Sequence, residues 1–167
     1  MKRHPDLREF SDDHHQGLVN ALRLKRTAAG DGVTSEEVAR AFLKFWQEDT
    51  SIHFRKEEEV LLPVMARHGG DLEQDSVIQM LLQHARIRGL VMQIGEELDL
   101  GDIQTETLQA LGEQLETHIR LEERVLFPAI EESLSEEALD EVSSRLEVLH
   151  AEKSAEPWVP AEGLSFE

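Results

Sequence analysis

Apolar residues recur every three or four positions along almost the whole chain, and nothing alternates with period two for long, so the pattern predicts an all-α protein. Glycine and proline cluster between the periodic runs and mark where they end. A first helix is expected from about Ser11 to Ala28, stopped by Gly30-Asp-Gly32. Thr34, with Glu37 three residues on, reads as a capping box opening a second helix that runs to about Arg67, ahead of His68-Gly69-Gly70. A third is expected over about Asp75 to Leu98, closed by Asp99-Leu-Gly101, and a fourth from Asp102 as N-cap to about Glu132. A fifth follows Ser135 to about residue 151, with Leu134 and Leu139 placed as a hydrophobic staple. The tail, 154–167, with Pro157, Trp158 and Pro160, reads as irregular.

One stretch occurs twice. His53-Phe-Arg-Lys-Glu57-Glu58-Glu-Val-Leu-Leu-Pro63 and His118-Ile-Arg-Leu-Glu122-Glu123-Arg-Val-Leu-Phe-Pro128 agree at His, Arg, both Glu, Val, Leu and Pro. Residues four apart on a helix are separated by about 6 Å of rise and about 40° of rotation, so His and Glu leave the same face together. Each half thus carries an imidazole and a carboxylate aimed in one direction, and two such helices facing each other could hold two metal ions. Pro63 and Pro128 fall at the same point in both copies, where each removes a backbone hydrogen bond and bends its helix.

The stripes around these pairs are apolar. His53 shares its face with Phe42, Leu43, Trp46, Asp49, Thr50, Val60, Leu61 and Val64; His118 shares its own with Leu108, Leu111, Gln114, Leu115, Val125, Leu126 and Ala129. A glutamate aimed into such a face needs its charge compensated, and a bound cation is the simplest compensation. Asp49, Thr50 and Gln114, one turn before the histidines, are candidate outer hydrogen-bond partners. Glu58 and Glu123 read as solvated, with a shifted-ligand role as the alternative for either. His84 lies with Val77, Leu81, Ile87 and Val91, and His15 with Leu18, Val19 and Leu22. His14 competes with His15, since its face carries Phe10, Leu18 and Ala21; His15 is preferred because it matches the pattern after His84, an aliphatic residue at three and another at seven. His15 precedes His53 by 38 residues and His84 precedes His118 by 34, so each half reads as a helical hairpin and the two as a four-helix bundle. His4, His68 and His150 sit near ends and read as solvated.

Composition narrows the chemistry. The 167 residues suit one domain, and 17 Lys and Arg against 35 Asp and Glu leave a net charge of −18, which disfavours nucleic acid and anionic membranes as partners. With no cysteine, thiolate zinc and iron–sulfur ligation by the chain are excluded, and with no tyrosine so is a tyrosyl radical. No secretory leader or membrane-spanning run is read, so a cytoplasmic location is expected.

The pattern of Asp13-His14-His15, His53 with Glu57, His84, then His118 with Glu122 before Leu-Phe-Pro resembles the hemerythrin-like HHE cation-binding domain, over about residues 8–151. That resemblance implies an up-down-up-down four-helix bundle, with pseudo-repeats over 8–68 and 75–132 and an additional C-terminal helix over 136–151. It also implies His15, His53, His84 and His118 as terminal ligands and Glu57 and Glu122 as bridges between two irons. An oxo or hydroxo bridge from solvent would leave a coordination position open for oxygen, peroxide or nitric oxide. In the oxygen carriers a second histidine follows four residues after the third-helix one; here that position is Arg88, which argues against reversible oxygen carriage. The four-His, two-Glu set looks instead like the di-iron proteins that sense or repair damage by reactive oxygen or nitrogen species, without their cysteine-bearing segment.

Two functions follow as expectations. One is a redox-active di-iron module that senses or reacts with such a ligand, drawing electrons from an external donor. The other is an iron-responsive interaction module whose metal occupancy controls folding and partner binding without catalysis. Zinc and manganese also suit imidazole and carboxylate.

Overall fold

In the computed structural model, which describes residues 3–27 and 33–155, five helices form an all-α bundle, and no strand occurs among the described residues. A 3₁₀ turn at Pro5–Leu7 leads into α1, Arg8–Arg26. It starts one turn earlier than the pattern predicts because Leu7 and Phe10 are both fully buried and anchor the entry. The stop at Gly30-Asp-Gly32 lies outside the described residues.

Helix α2 is one continuous rod over 35–67, with α-helical Ser35–Phe45, Ser51–Lys56 and Leu62–Arg67 joined by π turns at Trp46–Thr50 and Glu57–Leu61. The capping box is present: Thr34 Oγ1 accepts from the Glu37 amide, and Glu37 accepts from the Thr34 amide. At the far end Gly69, at φ 79°, lets the Gly70 amide reach back to the Met65 carbonyl at 2.8 Å, a Schellman closure. Helix α3, Asp75–Leu100, closes the same way, with Gly101 at φ 70° and the Asp102 amide bonded to the Glu97 carbonyl.

Helix α4 runs over 105–133, as α-helical Thr105–Leu121, a π turn Glu122–Leu126 and α-helical Phe127–Ser133. Gln104, not Asp102, is its N-cap, because the Glu97 carboxylate takes the Gln104 amide at 3.0 Å and fixes where the helix begins. Helix α5, Glu136–Ala155, follows Ser135, whose hydroxyl accepts from the Ala138 amide. Ser154 and Ala155 are therefore helical rather than irregular; the side chain of His150 and the tail 156–167 lie outside the described residues.

The π turns before the two prolines share one cause. In a regular helix the Pro63 ring would press on the Glu59 carbonyl; instead the Leu62 amide bonds five residues back, to the Glu57 carbonyl, and the widened turn makes room. At Pro128 the Phe127 amide bonds the Glu122 carbonyl in the same way. Each turn takes in one extra residue and rotates everything beyond it. Val125, inward on a constant period, is 50% exposed, while Phe127 and Ile130 are buried in its stead.

Helices α1 and α3 each pack against α2 and α4. One apolar layer joins the start of α1 (Leu7, Phe10) and of α3 (Val77, Met80) to the ends of α2 and α4, and α5 covers it with Leu139, Val142 and Leu146. The opposite layer joins Ala21 and Leu24 to Phe42, Ile94, Leu108 and Leu111. Starts meeting ends is the signature of the up-down-up-down arrangement. Between the two apolar layers lie the buried histidines and glutamates.

Candidate metal centre

Helix α1 presents Phe10, His14, Gly17, Ala21 and Leu24 to the interior. This corrects the expectation for His15, which is exposed, as is Leu18 at 38%, whereas His14 is 4% exposed. The aliphatic residues after His15 misled, because the true inner stripe uses small residues that let helices close in. A Cβ on Gly17 would stand 2.7 Å from Ile119 Cδ1, and one on Gly112 2.7 Å from the Ala21 carbonyl.

From the other helices come His53 and Glu57 (α2), His84 (α3), and His118 and Glu122 (α4), all buried. Their inward atoms fall into two groups that share both glutamates: His14 and His53 with Glu57 and Glu122, and His84 and His118 with the same two. Glu57 places Oε1 3.2 Å from His53 Nε2 and Oε2 3.2 Å from His84 Nε2. Glu122 places Oε2 2.9 Å from His14 Nε2 and Oε1 3.3 Å from His118 Nε2. Each carboxylate therefore gives one oxygen to each histidine pair.

The outward nitrogens are held as well. His14 Nδ1 meets Glu123 at 2.7 Å, His53 Nδ1 meets Asp13 at 3.2 Å, His84 Nδ1 meets Glu58 at 2.6 Å, and His118 Nδ1 meets Gln83 at 3.3 Å. Behind the carboxylates stand cations: Arg3 on Glu123, Lys56 on Asp13 and Arg88 on Glu58. An imidazole that gives its Nδ1 proton to such a partner is fixed in orientation, with its Nε2 lone pair turned inward. Glu58 and Glu123 are thus half-buried imidazole partners rather than solvated. Their repetition after Glu57 and Glu122 was the available signal. Gln83 carried none. Of the residues expected as outer partners, Asp49 and Gln114 hold no imidazole, and Thr50 is buried with its hydroxyl unpaired. His4 is half-buried and meets Glu136, whereas His68 is exposed, as expected, and meets Glu141.

Electrostatics follow from burial and neighbours. Burial opposes the charge on Glu57, but His53 and His84 outweigh it and hold its carboxyl well below the usual range. Burial together with the charge of Glu57 pushes Glu122 well above it. Burial would lower His53, yet Glu57 and Asp13 push it up to about 9. His118, buried and beside other imidazoles, is pulled well below the ordinary value. Against their own burial, Glu58 and Glu123 are held down at about 2, by His84 and Arg88 in one case and by His14, Ser11 and Arg3 in the other.

Both oxygens of Glu57 and of Glu122, with Nε2 of His84 and of His118, are buried without a well-directed hydrogen bond. His14 Nε2 and His53 Nε2 face each other at 3.0 Å. Buried polar atoms left this way are costly, and their convergence on two points fits two cations, each with two imidazole nitrogens and two carboxylate oxygens. A four-helix bundle with a buried His–Glu layer of this kind defines a helical cation-binding protein. The chain matches the hemerythrin HHE cation binding domain over residues 6–81 and again over 75–154, and it belongs to that family. No curated protein and no solved structure is similar enough to count as a match. Among the described residues no helix is long and apolar enough to cross a membrane.

Proposed function

We propose that the chain is a cytoplasmic non-haem di-iron protein that senses or reacts with oxygen, peroxide or nitric oxide, in a stress response or in protecting iron centres. The observation that carries this reading is the set of four unpaired carboxylate oxygens, two from Glu57 and two from Glu122, each directed at an imidazole pair. Iron is favoured over zinc or manganese by the resemblance to hemerythrins. Bound iron would supply a change of valence and an open coordination position.

The residues of the chain do the rest. The Phe54 ring stacks on His84 at 3.6 Å between centroids, and Phe127 stacks on His14 at 5.5 Å, so an apolar face covers one imidazole of each pair. A cavity of about 150 Å³ between α1, α2 and α4 reaches His14, His53 and His118. Gly17, Leu115 and Ile119 line it, with Asp13 and Asp49, and its size suits a diatomic molecule or peroxide rather than a large substrate. Turnover of such a ligand draws its electrons from an external donor.

The test is metal analysis of the purified full chain, with optical spectra of the reduced protein before and after oxygen, peroxide and nitric oxide. Two irons per chain and a new charge-transfer band are expected. Failure to take up iron under anaerobic reconstitution would overturn the proposal.

A further inference from the structure

The site has a two-fold plan that is broken at one place. Glu58, after the bridge on α2, holds the lone histidine of α3; Glu123, after the bridge on α4, holds the lone histidine of α1. Asp13, immediately before His14, holds His53; Gln83, immediately before His84, holds His118. Three imidazoles are therefore backed by a carboxylate and the fourth by a neutral amide, at the longest of the four distances, 3.3 Å.

Resting on the two-cation reading above, we propose that the two cation positions are unequal, with the His14–His53 position filling first and the His84–His118 position second, and that Gln83 sets the difference. A carboxylate accepting the Nδ1 proton draws it outward and leaves Nε2 a stronger donor, whereas an amide oxygen does this weakly. The first position has two strengthened imidazoles and the second has one. Gln83 and His118 are both buried, so solvent does not level the contrast. Changes at outer partners of this kind shift metal affinity by about 10–100-fold, and that is the gap Gln83 maintains. Lys56, which faces Asp13, also faces Glu9, so its charge is divided between two carboxylates, as Arg88 faces Glu58 on the other side.

The experiment is titration of the metal-free full chain with cobalt(II) alone, followed by its visible absorption. Two steps are expected. His14→Ala removes the tight one and His118→Ala the loose one. Gln83→Glu tightens the second step by about tenfold or more and leaves the first in place, Gln83→Leu loosens the second, and Asp13→Asn loosens the first by about 10–100-fold. Repulsion between two bound cations also produces two steps, but those steps would not move in opposite directions with Glu and Leu at position 83. Steps unmoved by the Gln83 variants, or a first step that moves with them, overturn the proposal while leaving two cations bound. No cobalt uptake by any protein overturns the two-cation reading itself. If Gln83→Glu fails to fold, the Gln83→Leu and Asp13→Asn arms decide the matter.

Discussion

His14 Nε2 stands 2.9 Å from Glu122 Oε2, with the next residue, His15, turned out to solvent. The two neighbours should therefore separate cleanly in a metal assay. His14→Ala is expected to lose the cation shared with His53, so that metal per chain falls by about half if both positions are filled in the parent. His15→Ala should keep the full complement. Metal analysis after identical purification compares them, and equal losses would contradict the geometry.

Removing the metal should weaken the fold. The polar layer lies between two apolar layers and contains two facing carboxylates with nothing well placed to satisfy them. A ligand that binds the folded chain alone, at a hundredfold above its dissociation constant, stabilises it by about 2.7 kcal/mol. Chelated protein should melt several degrees below the loaded form, and restoring the metal should recover the difference. Identical melting curves for protein verified to have bound metal would count against a cation in this layer.

Gly112 should tolerate no side chain. A Cβ there meets the Ala21 carbonyl at 2.7 Å and Leu24 Cβ at 3.0 Å, both fixed parts of α1. Gly112→Ala must push α1 off α4 and is expected to destabilise by roughly 1–3 kcal/mol. Gly17→Ala meets only the end of the Ile119 side chain, which can turn aside, so its cost should be smaller. Urea unfolding of the two variants tests the order; a larger loss at Gly17 would be the wrong result.

Glu97 ties the α3–α4 turn together and gives it a pH dependence. Its carboxylate accepts from the Gln104 amide, the Thr107 hydroxyl at 2.7 Å and the Gln93 side-chain amide at 2.9 Å. Burial opposes its ionisation, but these three donors win and lower it from the ordinary value. A carboxyl lowered on folding adds stability that is fully present above its unfolded value, near 4.5, and is lost as pH falls through the folded one. Glu97→Gln should thus cost about 1–2 kcal/mol at neutral pH, with the gap to the parent closing as pH drops below 4.5. A gap that stayed constant down to the acid limit would mean that the charge contributes nothing.

Much of the fold was legible because it rests on local rules. Thr34 with Glu37, and the glycines at 69 and 101, mark helix ends through backbone chemistry alone. The inward placement of His53, Glu57, His84, His118 and Glu122 followed from their apolar neighbours. Most of what the pattern did not show depends on contact between separate segments. His14 was passed over because its stripe is built from Gly17 and Ala21, whose value lies in how close they let α4 come. The Gln104 cap depends on Glu97 reaching across a turn. The partners Glu58 and Glu123 look like ordinary surface charge until α1 and α3 are set beside them. Val125 was misread for a different reason: a constant helical period has no place for a π turn.

Those widened turns make position along the chain an uneven ruler. Counting by 3.6 loses one residue of phase, about 100° of rotation, at the π turn over Trp46–Thr50, and again at the two that precede the prolines, beyond Glu57 and beyond Glu122. A segment grafted from a regular helix across either point would therefore present the wrong side chains to the α5-covered layer, however well its composition matched. The reverse operation is equally informative for anyone rebuilding this scaffold: deleting one residue within Glu122–Leu126 would restore regular spacing, swing Phe127 and Ile130 away from the interior, and leave Pro128 pressing on its own helix.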